Sequence, residues 1–448
     1  MDATHEESAV THAKSPRFSR RHALRQGGLG LTAAALAGAG IARSASAQPA
    51  ARLPTLAAQA QAATPAAVVA SPAASDHATA IVNLARQGMA KYALKAVILR
   101  VTQGGQELVT AALGESMTGV PATPDMHFRN GAVAISYVST LLLRLVDQGR
   151  VKLDDKLATW LPNFPEADRV TLRMLANMTS GYPDYEQSPK LNDALNADPF
   201  RQWTPQELLD IGFSTPPLFA PGTNWSYAHT NYVTLGLALE KLTGTPMATM
   251  LQEQVLDPLG LTNTQNWDTP AIPEPVLHAF SSERRGALGI PASTRFYEES
   301  TFWNPSWTIT HGAVQTTNIY DMTATAEAVG TGALLSKASY QAMVAPKLLG
   351  FGSKLAGCQN CHTLNRDYIY GLGIVLSNGW LLQNPLFYGY GAVEAYLPSK
   401  RLAIAVATTY GEGSFDDKGN YKYGNASQYL FAAIGAYLAP DDAPPTPT

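Results

Sequence analysis

Cysteine is nearly absent: two occur in 448 residues, at Cys358 and Cys361, which leaves only one possible intrachain pairing. A strong charge of either sign is also missing, since the formal net charge is −3. That balance removes the electrostatic argument for a nucleic-acid partner or an anionic membrane surface, and it turns the search for partners toward small molecules and peptides. No internal repeat is found. No uncharged run has the composition of a membrane span, which needs about 20 strongly apolar residues. The best candidate, residues 27–42, is short and dominated by Gly and Ala.

That run has another meaning in its setting. Arg20-Arg21 stands just before it, with Leu24 following, and Ala45-Ser46-Ala47 comes after it. Paired arginines, an apolar stretch and small residues at a cleavage point describe a twin-arginine export signal over 1–47, with Gln48 as the first mature residue. The expected location is therefore the periplasm or the cell exterior. No cysteine lies near the cleavage point, so no lipid anchor is expected, nor a stable membrane span after cleavage. Residues 48–75 are rich in Ala and Pro and read as a linker. Residues 440–448, with four prolines, read as a disordered tail. One domain is expected over 76–439.

Within that domain, 77–92 carries a helical apolar pattern with Ile81, Leu84, Met89 and Tyr92 near one face. Two strand-like runs follow, 96–101 and 107–112, separated by Gly104-Gly105 in the manner of a hairpin. A long helical middle comes next. Strands return at 370–376, 379–382, 388–396 and 402–408, and a helix closes the domain at 427–438. Such an order predicts an α+β fold: one antiparallel sheet built from the N- and C-terminal strands and flanked by helices, with an all-helical second lobe. A cleft between the lobes is the natural ligand site.

Several segments, taken in order, resemble the class C β-lactamase and D-alanyl-D-alanine carboxypeptidase (penicillin-binding protein) superfamily. They include Phe128-Arg129-Asn130-Gly131-Ala132, Leu153-Asp154-Asp155-Lys156, Thr179-Ser180-Gly181, Phe219-Ala220-Pro221-Gly222, Tyr227-Ala228-His229-Thr230-Asn231-Tyr232, Asp257-Pro258-Leu259-Gly260-Leu261 and Tyr370-Gly371-Leu372-Gly373. The resemblance implies a β-lactamase/transpeptidase-like fold and a hydrolase site with three motifs. The first motif needs a serine nucleophile and a lysine three residues later, on one helical face. Those positions hold Ala132 and Ile135 here. A methyl group cannot attack a carbonyl, and an isoleucine cannot accept a proton.

Ser136 lies on roughly the same face as Ala132, with Ser139 a turn further on; neither has a lysine at the required spacing. Hydrogen bonding within the helix is the plainer role for both, with Ser136 kept as a candidate ligand contact. The second motif, Tyr-x-Asn in the family, reads Tyr227-Ala228-His229, which makes Tyr227 and His229 the catalytic candidates. The cationic third motif falls on Gln383-Asn384-Pro385, or in a second register on Tyr388-Gly389-Tyr390; Gln383, Asn384 and Tyr390 are the candidate contacts. Neither register restores a cation.

Cys358-Gln359-Asn360-Cys361-His362 fits the c-type haem attachment pattern, yet a disulfide formed in an oxidising compartment is the simpler reading. No cofactor and no metal are expected. Three functions stay in play. One is a non-acylating protein that binds a peptide- or amide-like ligand at the cell envelope. The second is an active hydrolase (esterase, amidase or carboxypeptidase-like) working through Tyr227 and His229. The third and most remote is a haem protein.

Overall fold

The computed structural model describes residues 68–69, 76–266, 269–309, 313 and 315–447. The expected export signal therefore lies outside the described residues, as does the expected linker apart from its residues 68–69. Along the chain come strand β1 (Val68–Val69), helix α1 (Asp76–Lys91), and the hairpin of β2 (Leu94–Gln103) and β3 (Gln106–Met117). The hairpin turns at Gly104 and Gly105, whose φ angles of 62° and 81° are open to glycine without steric cost. Helix α2 (Val133–Asp147) begins the helical region, and α3 (His229–Thr243) runs near its end. Helices α4 (Ile319–Thr331) and α5 (Lys337–Val344) lead back to the sheet. Strands β4 (Ile369–Tyr370), β5 (Val375–Ser377), β6 (Trp380–Gln383), β7 (Tyr390–Leu397) and β8 (Leu402–Tyr410) precede the closing helix α6 (Ala426–Leu438).

The main sheet has the order β1-β3-β2-β8-β7-β6-β5-β4, and every pair in it is antiparallel. Its centre joins the two ends of the domain: β8 lies against β2, with Leu402 opposite Gln103 and Val406 opposite Leu99. Both faces are covered, which is why the central strands read as nearly continuous apolar runs rather than alternating ones. Val97, Leu99, Val101, Ile404 and Val406 meet Ile81 and Val82 of α1 and Leu430 and Ile434 of α6. Ala96, Ile98, Ala405 and Ala407 meet Ile319 and Met322 of α4. This is the expected α+β architecture. Short ladders accompany the second lobe, among them Phe128–Arg129 paired with Gln315–Thr317.

Three local expectations are corrected. The run 370–376 is a tight hairpin rather than one strand: Gly371–Gly373 turns the chain so that Tyr370 pairs with Val375. The expected tail is docked on the domain through 440–447. The indole of Trp380 donates to the Asp442 carbonyl at 2.7 Å and the Asn378 amide donates to the Ala443 carbonyl at 2.8 Å. Its prolines follow a turn, Pro440–Asp442, and Pro444 is buried against the Gly435 position of α6. Finally, Val68–Val69, inside the expected linker, pairs with Ala112 and Ala111 at the sheet edge.

Candidate active site

The site is built where three elements end. Helix α2 is apolar nearly all round, and burial of residues from Val133 to Leu145 anchors it through the middle of the domain. Its N-cap is Ala132, which supplies no side-chain capping bond. The preceding Gly131 has φ +48°, and a Cβ there would come within 2.6 Å of the Pro385 Cβ. Glycine is therefore required for the helix start to approach the loop beyond β6. That loop carries Asn384 and Pro385, while Gln383 ends β6 itself. The third wall is the start of α3, where His229 is the first helical residue and Tyr227 lies just before it.

These pieces enclose a cavity of about 300 Å³, lined by Ala132, Tyr227, His229, Gln383, Asn384 and Pro385 together with Glu186, Trp307 and Tyr368. Most of the positions expected from the sequence do converge. Gln383-Asn384-Pro385 is the register at the cavity, and Tyr390 is excluded: it is buried and donates its hydroxyl to the Leu277 carbonyl at 2.7 Å. Ser136 is also excluded as a ligand contact. It is fully buried and donates to the Val133 carbonyl of its own helix at 2.7 Å. Ser139 is engaged with the Tyr232 hydroxyl at 2.7 Å. Ile135 sits in the core and not in the cavity wall, so only Ala132 of that pair forms the apolar floor. Gln383 has its own work, donating to the Gly373 carbonyl at 2.7 Å.

The polar centre was not anticipated. Asp184, whose side chain is 1% exposed, accepts hydrogen bonds from the backbone amides of Glu186 and His229 at 3.2 and 3.1 Å. His229 places Nδ1 3.2 and 3.1 Å from the two Asp184 oxygens and 3.6 Å from Glu186 Oε2. Burial pulls the His229 imidazole down, but Asp184 and then Glu186 outweigh it and push it up to about 9. Burial raises the Glu186 carboxyl; His229 works against that, and the charge of Asp184 adds to it. Burial likewise drives the Tyr227 phenol well above its ordinary value. Trp307, in the wall of the same cavity, packs edge-on against Tyr388. A signal for the acids was present: Asp184 and Glu186 come shortly after Thr179-Ser180-Gly181, beyond Tyr182-Pro183, two carboxylates within three residues of a chain otherwise sparse in charge.

The cysteine loop packs behind Tyr227. Asn360 donates to the Tyr227 carbonyl at 3.0 Å, and Cys358 Sγ lies 3.5 Å from Ser226 Oγ. The two sulfurs are at bonding distance, 2.01 Å. In that arrangement no thiol remains to carry a haem thioether, and His362 is held by the Asn360 carbonyl and packed against Trp225.

The fold and this cleft define a β-lactamase-type serine-hydrolase scaffold. The chain belongs to the family described as Beta-lactamase, which it matches over residues 81–427. It is similar to penicillin-binding protein 4 of Amycolatopsis lactamdurans, 35% identical over 150 residues, a match that spans 32% of this chain and 37% of that protein. It is similar also to the esterase EstB of Burkholderia gladioli, 32% identical over 188 residues, spanning 39% of this chain and 48% of that one. The chain thus spans less than half the length of these relatives. Among solved structures, the D-amino acid amidase of Ochrobactrum anthropi SV3 complexed with D-phenylalanine superposes with a TM-score of 0.66 at 22% identity, covering 80% of this chain and 98% of that one. A penicillin-binding protein homologue from Pyrococcus abyssi reaches 0.63 at 17% identity, covering 80% and 77%. No helix among the described residues is long and apolar enough to cross a membrane.

Proposed function

We propose that this protein is a non-acylating member of the β-lactamase family that holds a small peptide- or amide-like ligand in the cavity at the start of α2. The observation that carries the proposal is the wall itself. Ala132 stands at the N-cap of α2, and no serine, cysteine or lysine is found among the described lining residues. A cavity of about 300 Å³ suits an amino-acid derivative or the end of a peptide. The amino-acid ligands of the structural neighbours support the same class. The export signal read at Arg20-Arg21 and Ala45-Ser46-Ala47 puts that ligand at the cell envelope, where Cys358 and Cys361 form a disulfide. Calorimetric titration with D-phenylalanine, its amide and D-Ala-D-Ala tests the reading. Saturable binding of one or more without turnover is expected, and absence of binding by all three would count against it.

One observation favours a second reading, a hydrolase that activates water. His229 carries an aspartate on Nδ1 and packs edge-on against Tyr227 with ring centroids 5.3 Å apart, which puts an acid–base side chain and a phenol side by side in one cavity. Ester or amide hydrolysis that is lost in Tyr227→Phe would establish this reading; hydrolysis unchanged in that variant would remove it.

A further inference from the structure

We infer that Asp184, Glu186 and His229 form a binding site for a divalent cation of the zinc class, opening on the same cavity. Each residue offers one ligand atom, and the three atoms lie within 4.8 Å of one another. Zinc bonds to imidazole nitrogen and carboxylate oxygen are about 2.0–2.2 Å, so neighbouring ligand atoms of a tetrahedral site stand roughly 3.3 Å apart. His229 Nδ1 lies 3.1 Å from Asp184 Oδ2 and 3.6 Å from Glu186 Oε2, on either side of that value.

The scaffold holds the three residues in place without a metal. Asp184 Oδ1 accepts from the backbone amides of both Glu186 and His229, so one carboxylate ties the short turn at 185–187 to the start of α3. Its other oxygen is left for Nδ1 and a cation. The rest of the cavity supplies no competing positive charge, since its described lining contains no lysine or arginine. Glu186 keeps 45% of its side-chain surface exposed, which gives a cation a way in.

Three protein ligands leave a fourth position open, the pattern of zinc sites that take water or a ligand group rather than of closed structural ones. That position faces the cavity lined by Glu186 and His229 themselves. The inference rests on neither functional reading above, and its test involves no turnover.

The test is calorimetric titration of zinc chloride into the untagged, chelator-stripped full chain, alongside Glu186→Gln and His229→Gln. The visible spectrum of the cobalt(II) form gives a second readout. We expect a zinc event in the wild type that weakens at least about tenfold in Glu186→Gln and is lost in His229→Gln, with tetrahedral ligand-field bands for cobalt that zinc abolishes. Glu186 is half-exposed, so its variant keeps the test decisive even if His229→Gln folds poorly. Zinc binding of equal strength in the wild type and Glu186→Gln, or none in the wild type, would overturn the inference; histidines elsewhere in the chain would give the first of these results.

Discussion

Glu394 is a buried carboxyl whose protonation can be read from a stability measurement. It lies in the middle of β7, opposite Gln383 on one side and Ala405 on the other, and is 2% exposed. Its Oε2 has no hydrogen-bond partner among the described residues, and burial drives its carboxyl well above the ordinary value. The folded protein therefore keeps a proton on Glu394 that the unfolded chain releases above about pH 4.3. The sign follows from linkage: the native state binds the extra proton, so stability is complete below the unfolded value and declines as pH rises toward the folded one. One bound proton corresponds to roughly 1 kcal/mol for each pH unit in that window. Glu394→Gln preserves the shape and has nothing to titrate. Its stability relative to wild type should thus improve by roughly 1 kcal/mol per unit between about pH 5 and about pH 7. Urea unfolding followed by tryptophan fluorescence at both values measures the difference, because every other titrating group is common to the two proteins. A difference that stays flat, or that moves against the variant as pH rises, would refute the argument and show that Glu394 is charged in the fold.

Two further outcomes follow from local geometry. Gly131→Ala places a Cβ 2.6 Å from Pro385 and 2.8 Å from the Phe387 ring at a φ of +48°, so it should cost about 1–3 kcal/mol in an unfolding experiment and weaken any ligand held against Ala132. Asp147 accepts from the Ser336 amide and from the Ser336 and Ser339 hydroxyls at the start of α5. Burial works against its ionised form, but these hydrogen bonds prevail and hold the carboxyl below the usual range. Asp147→Ala should therefore cost about 1 kcal/mol at neutral pH, as a lost helix cap does, and the cost should fade as acid takes pH down through the folded value.

The architecture was largely legible because the central strands and the terminal helices carry long apolar patterns. Residues 96–101 and 402–408 announce buried strands on composition alone, and Gly104-Gly105 announces the turn between β2 and β3. What failed was punctuation and docking. Gly371 and Gly373 sit inside an apolar run that reads as one strand, and the close approach that makes them necessary, to the Met343 carbonyl and the Ser139 hydroxyl, is a tertiary fact. Prolines after α6 read as disorder because nothing local shows that Trp380 and Asn378 offer donors to the carbonyls of Asp442 and Ala443. In the site, motif order located Ala132, Tyr227, His229 and Gln383. It misplaced Ser136, Ile135 and Tyr390, because a helical face or strand parity does not say which face the cavity takes. Asp184 and Glu186 were missed for a different reason: they meet His229 only when the turn at 185–187 folds against the start of α3, 45 residues on in sequence for Asp184.

The proposal that this scaffold forms no acyl-enzyme is open to one decisive experiment, intact-mass spectrometry after incubation with a fluorescent penicillin. The unmodified mass is expected for the wild type, since Ala132 at the head of α2 offers no nucleophile and the described cavity wall holds no serine, cysteine or lysine. A stoichiometric adduct of one penicilloyl group per wild-type chain, stable to denaturation, would contradict it.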